Sequence, residues 1–248
     1  MGSSLYHTLN ISRQDMLTRL LDLDVISNNL ANMNTAGFKA SRANFQELLT
    51  QSLNRSGIRL PSTQMLSGQG SIRQSGNPLD WAIEGEGFFA VRLPDGRTAY
   101  TRDGQFSLDA NRRLVCAGGF PLVWNGQIPE NYSDVSIRGD GTVEVVLQDG
   151  TRQVAGNVQL ARFTNPSGLQ GIGNNLWAET AASGQARMSA PGSPNVGIVH
   201  SHAVEQANVD LAREMTQLMA DQRTFQMSVQ AFQQTDQMIA LALNLRKG

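Results

Sequence analysis

Three groupings in the chain could do chemistry. His200 and His202 stand two apart, a spacing that on a strand places both imidazoles on one face and could begin a metal site, but no third ligand follows at a useful spacing. Glu84 and Glu86 share that spacing. A hydrolytic pair must flank a bond with its two carboxyls, whereas neighbours on one strand form a solvated rim. Gly85-Glu86-Gly87-Phe88-Phe89-Ala90 fits G-x-G-x-x-A, the dinucleotide fingerprint. That motif works where a strand ends and a helix opens toward a pyrophosphate, and here the glycines lead into an alternating strand pattern from Phe88 to Leu93. The lone Cys116, in the apolar run Leu114-Val115-Cys116-Ala117, reads as a buried inert thiol and excludes an intrachain disulfide. No G-x-S-x-G elbow or phosphate loop occurs, and three histidines leave few bases for a nucleophilic triad. The expectation is no catalytic residue, no metal and no cofactor.

The totals narrow the classes further. With 20 Lys+Arg against 21 Asp+Glu, the formal charge of −1 supplies no field for a phosphate backbone, so nucleic acid is not an expected partner. No apolar run approaches the ~20 residues that span a bilayer, so membrane insertion is not expected. The N-terminus lacks the layout of a cleaved signal, and Leu5 already falls on an apolar pattern, so the start reads as native and export would use another route. The 248 residues suffice for a real core, and 24 glycines with 6% aromatics suggest tight turns around aliphatic side chains.

The elements that would position any site differ between the ends and the middle. Leu9, Met16, Leu23 and Leu30 recur every seven residues, with Leu5, Leu20, Ile26 and Met33 beside them, which predicts a helix over about 4–33. Val204, Leu211, Leu218, Phe225, Phe232 and Ile239 repeat likewise, with Met215, Val229 and Leu243 in the companion register and Gln222 and Asp236 interrupting it. No Pro or Gly breaks residues 203–247, which predicts one helix of roughly 60 Å. Such a stripe needs a partner. The plain reading is an intramolecular hairpin of the two helices. Ile11, Leu17, Leu21 and Met219 beside the seam exceed what one such contact covers, so the pair is also expected to pack on copies of itself.

Between the ends the period becomes two. Short runs carrying Ile83, Phe89, Val91, Tyr100, Phe106, Val143, Val145, Leu160 and Phe163 are separated by Asp95-Gly96, Asp103-Gly104, Asp140-Gly141 and Asp149-Gly150, which predicts antiparallel hairpins. The expected fold is therefore α+β: a discontinuous helical domain of paired N- and C-terminal coiled-coil helices with an inserted antiparallel all-β domain. Residues 1–36 would be the N-terminal helix, 37–78 an extended connector, 79–182 the β domain, 183–202 a return connector and 203–248 the C-terminal helix.

Ser27 to Lys39, SNNLANMNTAGFK, closely resembles the signature of bacterial flagellar axial proteins, the family of rod, hook and hook-associated subunits. Three further blocks look familiar: one containing GEGFFAVRLPDGRTAYTRDG, then FTNPSGLQGIGNNLWAET and ANVDLAREMTQLMADQRTFQMSVQAFQQTDQMIALALNL. The flanks Leu23-Asp24-Val25-Ile26 and Phe45-Gln46-Glu47-Leu48-Leu49 look like distal-rod members, with the proximal-rod paralogue close. The resemblance implies a structural, non-enzymatic subunit of the basal body. It would be exported by the flagellar type III apparatus and added to a hollow helical rod, with copies of itself and rod, hook and ring proteins as partners. The expected assembly residues are Leu9, Met16, Leu23, Asn28, Asn29, Leu30, Asn32, Leu211, Met215, Leu218, Phe225, Val229, Phe232 and Ile239, with Gly37, Phe38 and Lys39 as family motif. The asparagine amides would serve polar groups where the first helix ends among other subunits. A secreted oligomeric cell-wall-binding module is the competing reading.

Overall fold

The computed structural model describes residues 2–44, 47–48, 57–58 and 62–245, and side-chain surroundings for 13–43 and 63–238. The chain divides into two compact units. One draws on residues 1–31, 41–64 and 210–248, the other on 32–40 and 65–209.

The first unit holds both helices, α1 (Gly2–Ala31) and α2 (Leu211–Leu245). Asp210 starts α2: its Oδ1 accepts the Arg213 N–H at 3.1 Å, satisfying one of the donors that a helix start leaves open. Glu214 in the first turn complements the positive end of the helix dipole. The helices pack against each other antiparallel, Asp15 meeting Ser228 at 2.6 Å and Asn29 meeting Glu214 at 3.2 Å. Ile26 is buried, and Met16, Leu23, Leu30, Leu218, Phe225, Val229 and Phe232 are half-buried. Leu9 and Ile239 lie on the helices, but their side chains fall outside the described set.

The expected fold class is overturned. Among the described residues there are nineteen strands against two α-helices, and the helices do not form a helical domain carrying a β insert. Their own unit includes the strand Ser41–Asn44, which pairs with Ser62–Met65, and the pair Glu47–Leu48 with Gly57–Ile58. The mixture of α and β is all that stands. Heptad spacing misleads here because it reports where apolar residues fall and not what faces them. The seam also holds Asp15 with Ser228 and Arg19 with Asp221 at 3.7 Å, where a coiled coil would set apolar knobs.

The predicted second helix also starts later than its pattern. Ala203–Glu205 is a strand, paired antiparallel with Ile72–Gln74, and Ile198–Ser201 pairs with Trp81–Glu84. The returning chain thus runs hydrogen-bonded beside the outgoing one. Val204 is buried in the second unit, so its apolar character serves that unit's core rather than a helix stripe.

The second unit is built mainly of strands, with one 3-10 turn at Pro166–Gly168, and it buries both faces of the strand Phe89–Arg92. Phe89 and Val91 enter a cluster with Trp81, Ile83, Phe106 and Val145, while Phe88 and Ala90 enter another with Tyr100, Phe163 and Trp177. Burial on both faces explains why GFFAV reads as a continuous apolar run. Three of the four Asp-Gly pairs make hairpin turns, Gly96, Gly141 and Gly150 having φ of 84°, 87° and 83°. Asp103-Gly104 does not. The Trp81 N–H donates to the Gly104 carbonyl at 2.9 Å, and a Cβ on Gly104 would stand 1.6 Å from the Trp81 carbonyl oxygen, so this glycine permits two backbones to cross.

Candidate functional site

The signature stretch splits between two tasks. Asn29 is buried on α1 and completes the hydrogen bonding of Ser41 in both directions: its Oδ1 accepts the Ser41 N–H and its Nδ2 donates to the Ser41 carbonyl, each at 2.9 Å. A third bond, to Glu214 Oε2, ties it to α2. Asn29 therefore finds its partners within its own chain. Asn28 is exposed, and the half-buried Asn32 accepts from the Thr35 hydroxyl at 3.2 Å.

Beyond α1 the chain turns and enters the second unit. Asn32 and Thr35 close the turn through Thr35 N–H to Asn32 carbonyl at 3.0 Å and Phe38 N–H to Thr35 carbonyl at 3.3 Å. Gly37 has φ 64°, and a Cβ there would lie 2.3 Å from the Arg102 carbonyl carbon and the Asp103 nitrogen. Both conformation and space demand glycine. Its N–H donates to the Glu205 carbonyl at 2.7 Å, and the Asn175 amide donates to the Ala36 carbonyl at 2.9 Å.

Lys39 follows, 1% exposed, and its Nζ donates to Glu205 Oε1 at 2.7 Å and to the Gly68 carbonyl at 2.8 Å. The buried Arg102 meets the other oxygen of Glu205 at 3.3 Å, donates to the Ile83 and Gly85 carbonyls at 3.2 and 2.5 Å, and lies over the Phe88 ring. The Gly70 N–H completes the carboxylate's shell at 2.9 Å. Burial holds the Lys39 ammonium and the Arg102 guanidinium below their ordinary ranges, and Glu205 opposes both shifts. This is a buried ionic cluster in which both Glu205 oxygens are engaged, while the Arg102 Nε has no hydrogen-bond partner. Asn208 braces it, accepting the Ala40 N–H at 2.7 Å and donating to the Leu66 and Gly68 carbonyls at 3.0 and 2.8 Å.

The histidines, glutamates and glycines whose spacing suggests chemistry have other partners. His200 Nε2 bonds Glu84 Oε2 at 2.6 Å across the paired strands. His202 has φ 56° and lies in the turn beyond that strand, so the two histidines do not share a face. Glu86 pairs with Arg162 at 3.1 Å on the surface. Gly85 and Gly87 connect two strands, Trp81–Glu84 and Phe89–Arg92, rather than a strand and a helix. Among the described residues no group of three His, Cys, Asp or Glu side chains is placed to hold a metal, and no helix is long and apolar enough to cross a membrane.

What remains is a surface. Leu17 is 52% exposed, Met219 53%, Met227 60% and Met238 58%, and Leu20, Leu21, Leu211 and Met215 are exposed beside them. Contiguous apolar side chains left in water on a helix mark a contact surface.

Comparison with known proteins gives that surface a context. Residues 16–39 match the family described as Flagella basal body rod protein, residues 82–145 the Flagellar hook protein FlgE/F/G D1 domain, and residues 200–245 the Flagellar basal body rod FlgEFG protein C-terminal. The flagellar basal-body rod protein FlgG of Caulobacter vibrioides is 38% identical over 258 residues, spanning 96% of this chain and 98% of that protein. The chain belongs to the flagellar basal-body rod protein family. Proteins of the same name in Borreliella burgdorferi and Buchnera aphidicola are 36% and 37% identical, each covering 94% of this chain and 96% of its own length.

Membership makes this rod protein a structural subunit of the flagellar basal body, working with other rod and hook components, and not an enzyme. The distal-rod resemblance read from the sequence agrees with these relatives. Each matched segment also contributes one member of the buried cluster: Lys39 from the first, Arg102 from the second and Glu205 from the third. No local sequence pattern marks Glu205, Arg102, Asn208 or Asn175. Arg102 sat inside the familiar TRDG, but nothing in a single sequence pairs it with a glutamate 103 residues away.

Proposed function

We propose that this rod protein polymerises through its two helices into a hollow helical axle of the distal-rod type, which transmits torque and encloses the export channel. The carrying observation is the row of exposed apolar side chains on α1 and α2, with Leu17, Met219 and Met227 more than half exposed. Burying such side chains against a neighbour contributes roughly 1.5–3 kcal/mol each before ordering costs. Contact between unlike faces, repeated with a rotation that does not close into a ring, extends as a helix.

In this reading Leu9, Met16, Leu23, Leu30, Leu211, Met215, Leu218, Phe225, Val229, Phe232 and Ile239 mark the helical stripes that contact copies, and the helices form the channel wall. Ring proteins and the flagellar type III export apparatus are the further partners. The test is electron microscopy of basal bodies from cells whose only copy carries Leu17→Asp. Rods should be absent or truncated while the purified variant keeps wild-type helix content. Complete rods at wild-type number would refute the reading.

A further inference from the structure

The exposed faces of the two helices carry complementary rows. On α1, Leu20, Asp24 and Asn28 stand at i, i+4 and i+8 and are exposed; on α2, Met219, Arg223 and Met227 do the same. Each row has its charge in the middle. Asp24 and Arg223 make no ion pair or hydrogen bond among the described residues, although Asp15, Arg19 and Asp221 beside them all do. Beside Asp24 lies a cleft of about 330 Å³ within the first unit, lined by Leu21, Val25 and Asn28 of α1 and by Ser41, Ala43 and Thr63.

We infer that the occupant of this α1 face is the α2 row of a second copy, registered by an Arg223–Asp24 ion pair. This rests on the reading of the chain as a polymerising subunit. Copies added in one direction share one polarity, so α1 of one and α2 of the next meet antiparallel, as the two helices do within a chain. Setting Arg223 opposite Asp24 then fixes the rest through the four-residue step. Met227 lies on Leu20, and Met219 reaches Asn28 and the cleft, which a flexible thioether side chain can fill. Apolar groups at the flanks exclude water from the pair and so strengthen it. The other registers leave the guanidinium on apolar side chains or the carboxylate on a methionine.

The test is charge reversal in cells whose only copy is the variant, counting complete rods on purified basal bodies. Asp24→Arg and Arg223→Asp should each reduce rods by about tenfold or more, since each sets like charges together. The double reversal should return them to within about threefold of wild type. Asp24→Asn and Arg223→Gln remove attraction without adding repulsion and should lose less. Single reversals at wild-type level, or a double variant no better than the worse single, overturn the pairing. If that happens while Leu17→Asp still abolishes rods, the subunit reading survives and only the register falls. Complete rods in cells lacking the chain overturn both.

Discussion

The turn from Asn32 to Ala40 and the outer faces of the helices are opposite kinds of region. In the turn the charged groups are paired inside their own unit: Lys39 and Arg102 meet Glu205, Ala40 meets Asn208, and Gly37 packs against the Arg102–Asp103 backbone. On the helices, leucines and methionines stand in water and Asp24 and Arg223 lack partners among the described residues. The most distinctive residues of the sequence are thus structural, and the plainest ones face outward. A specific motif is used up inside its own unit, while a generic apolar face stays exposed.

Variants can break that contrast. The largest effect is expected from Glu205→Gln, which leaves two buried cations without a counter-charge and should cost about 3–5 kcal/mol. Trp81, Trp124 and Trp177 are the chain's three tryptophans and all lie in the second unit, so their fluorescence in urea reads this loss directly. A midpoint unchanged from wild type would remove the cluster from the account. Gly37→Ala comes next, at roughly 2–3 kcal/mol for a left-handed alanine pressed on backbone, seen in the same unfolding curve. Asn29→Ala should cost about 1–2 kcal/mol by stripping Ser41 of both side-chain partners, and should appear as a lower melting temperature of helical circular dichroism.

The smallest effect belongs to Asp22. Burial first, then the Asp221 carboxylate, hold its carboxyl above the ordinary range, with Arg19 opposing. A carboxyl raised in the folded state contributes stability below its unfolded pKa and loses that contribution as pH rises through the folded pKa. Asp22→Asn should therefore raise the helix melting temperature at neutral pH, and the gain should vanish below the ordinary carboxylate range. An equal gain at both pH values would mean that charge is not the cause.

How much was legible follows the range of the interactions. Gly96, Gly141 and Gly150 were readable because the positive φ of a hairpin turn is a local demand. Phe88 to Val91 was readable as strand because both neighbouring layers ask for apolar groups. Gly104 looked the same and was not, since its need is for the distant Trp81 carbonyl. The heptads located two helices but hid the Asp15, Arg19 and Asp221 contacts between them, which is why the coiled-coil domain failed. Lys39 gave no sign of burial because its partners, Gly68 and Glu205, lie 29 and 166 residues away.

The central claim is that contact between copies rests on the exposed helix faces and not on the signature turn. Met219→Asp tests it most directly, compared with Met219→Leu for tryptophan-detected unfolding of purified protein and for complete rods in cells. Both variants should unfold at the wild-type urea midpoint, with rods lost only in the aspartate variant; rods at wild-type number in the aspartate variant would contradict the account.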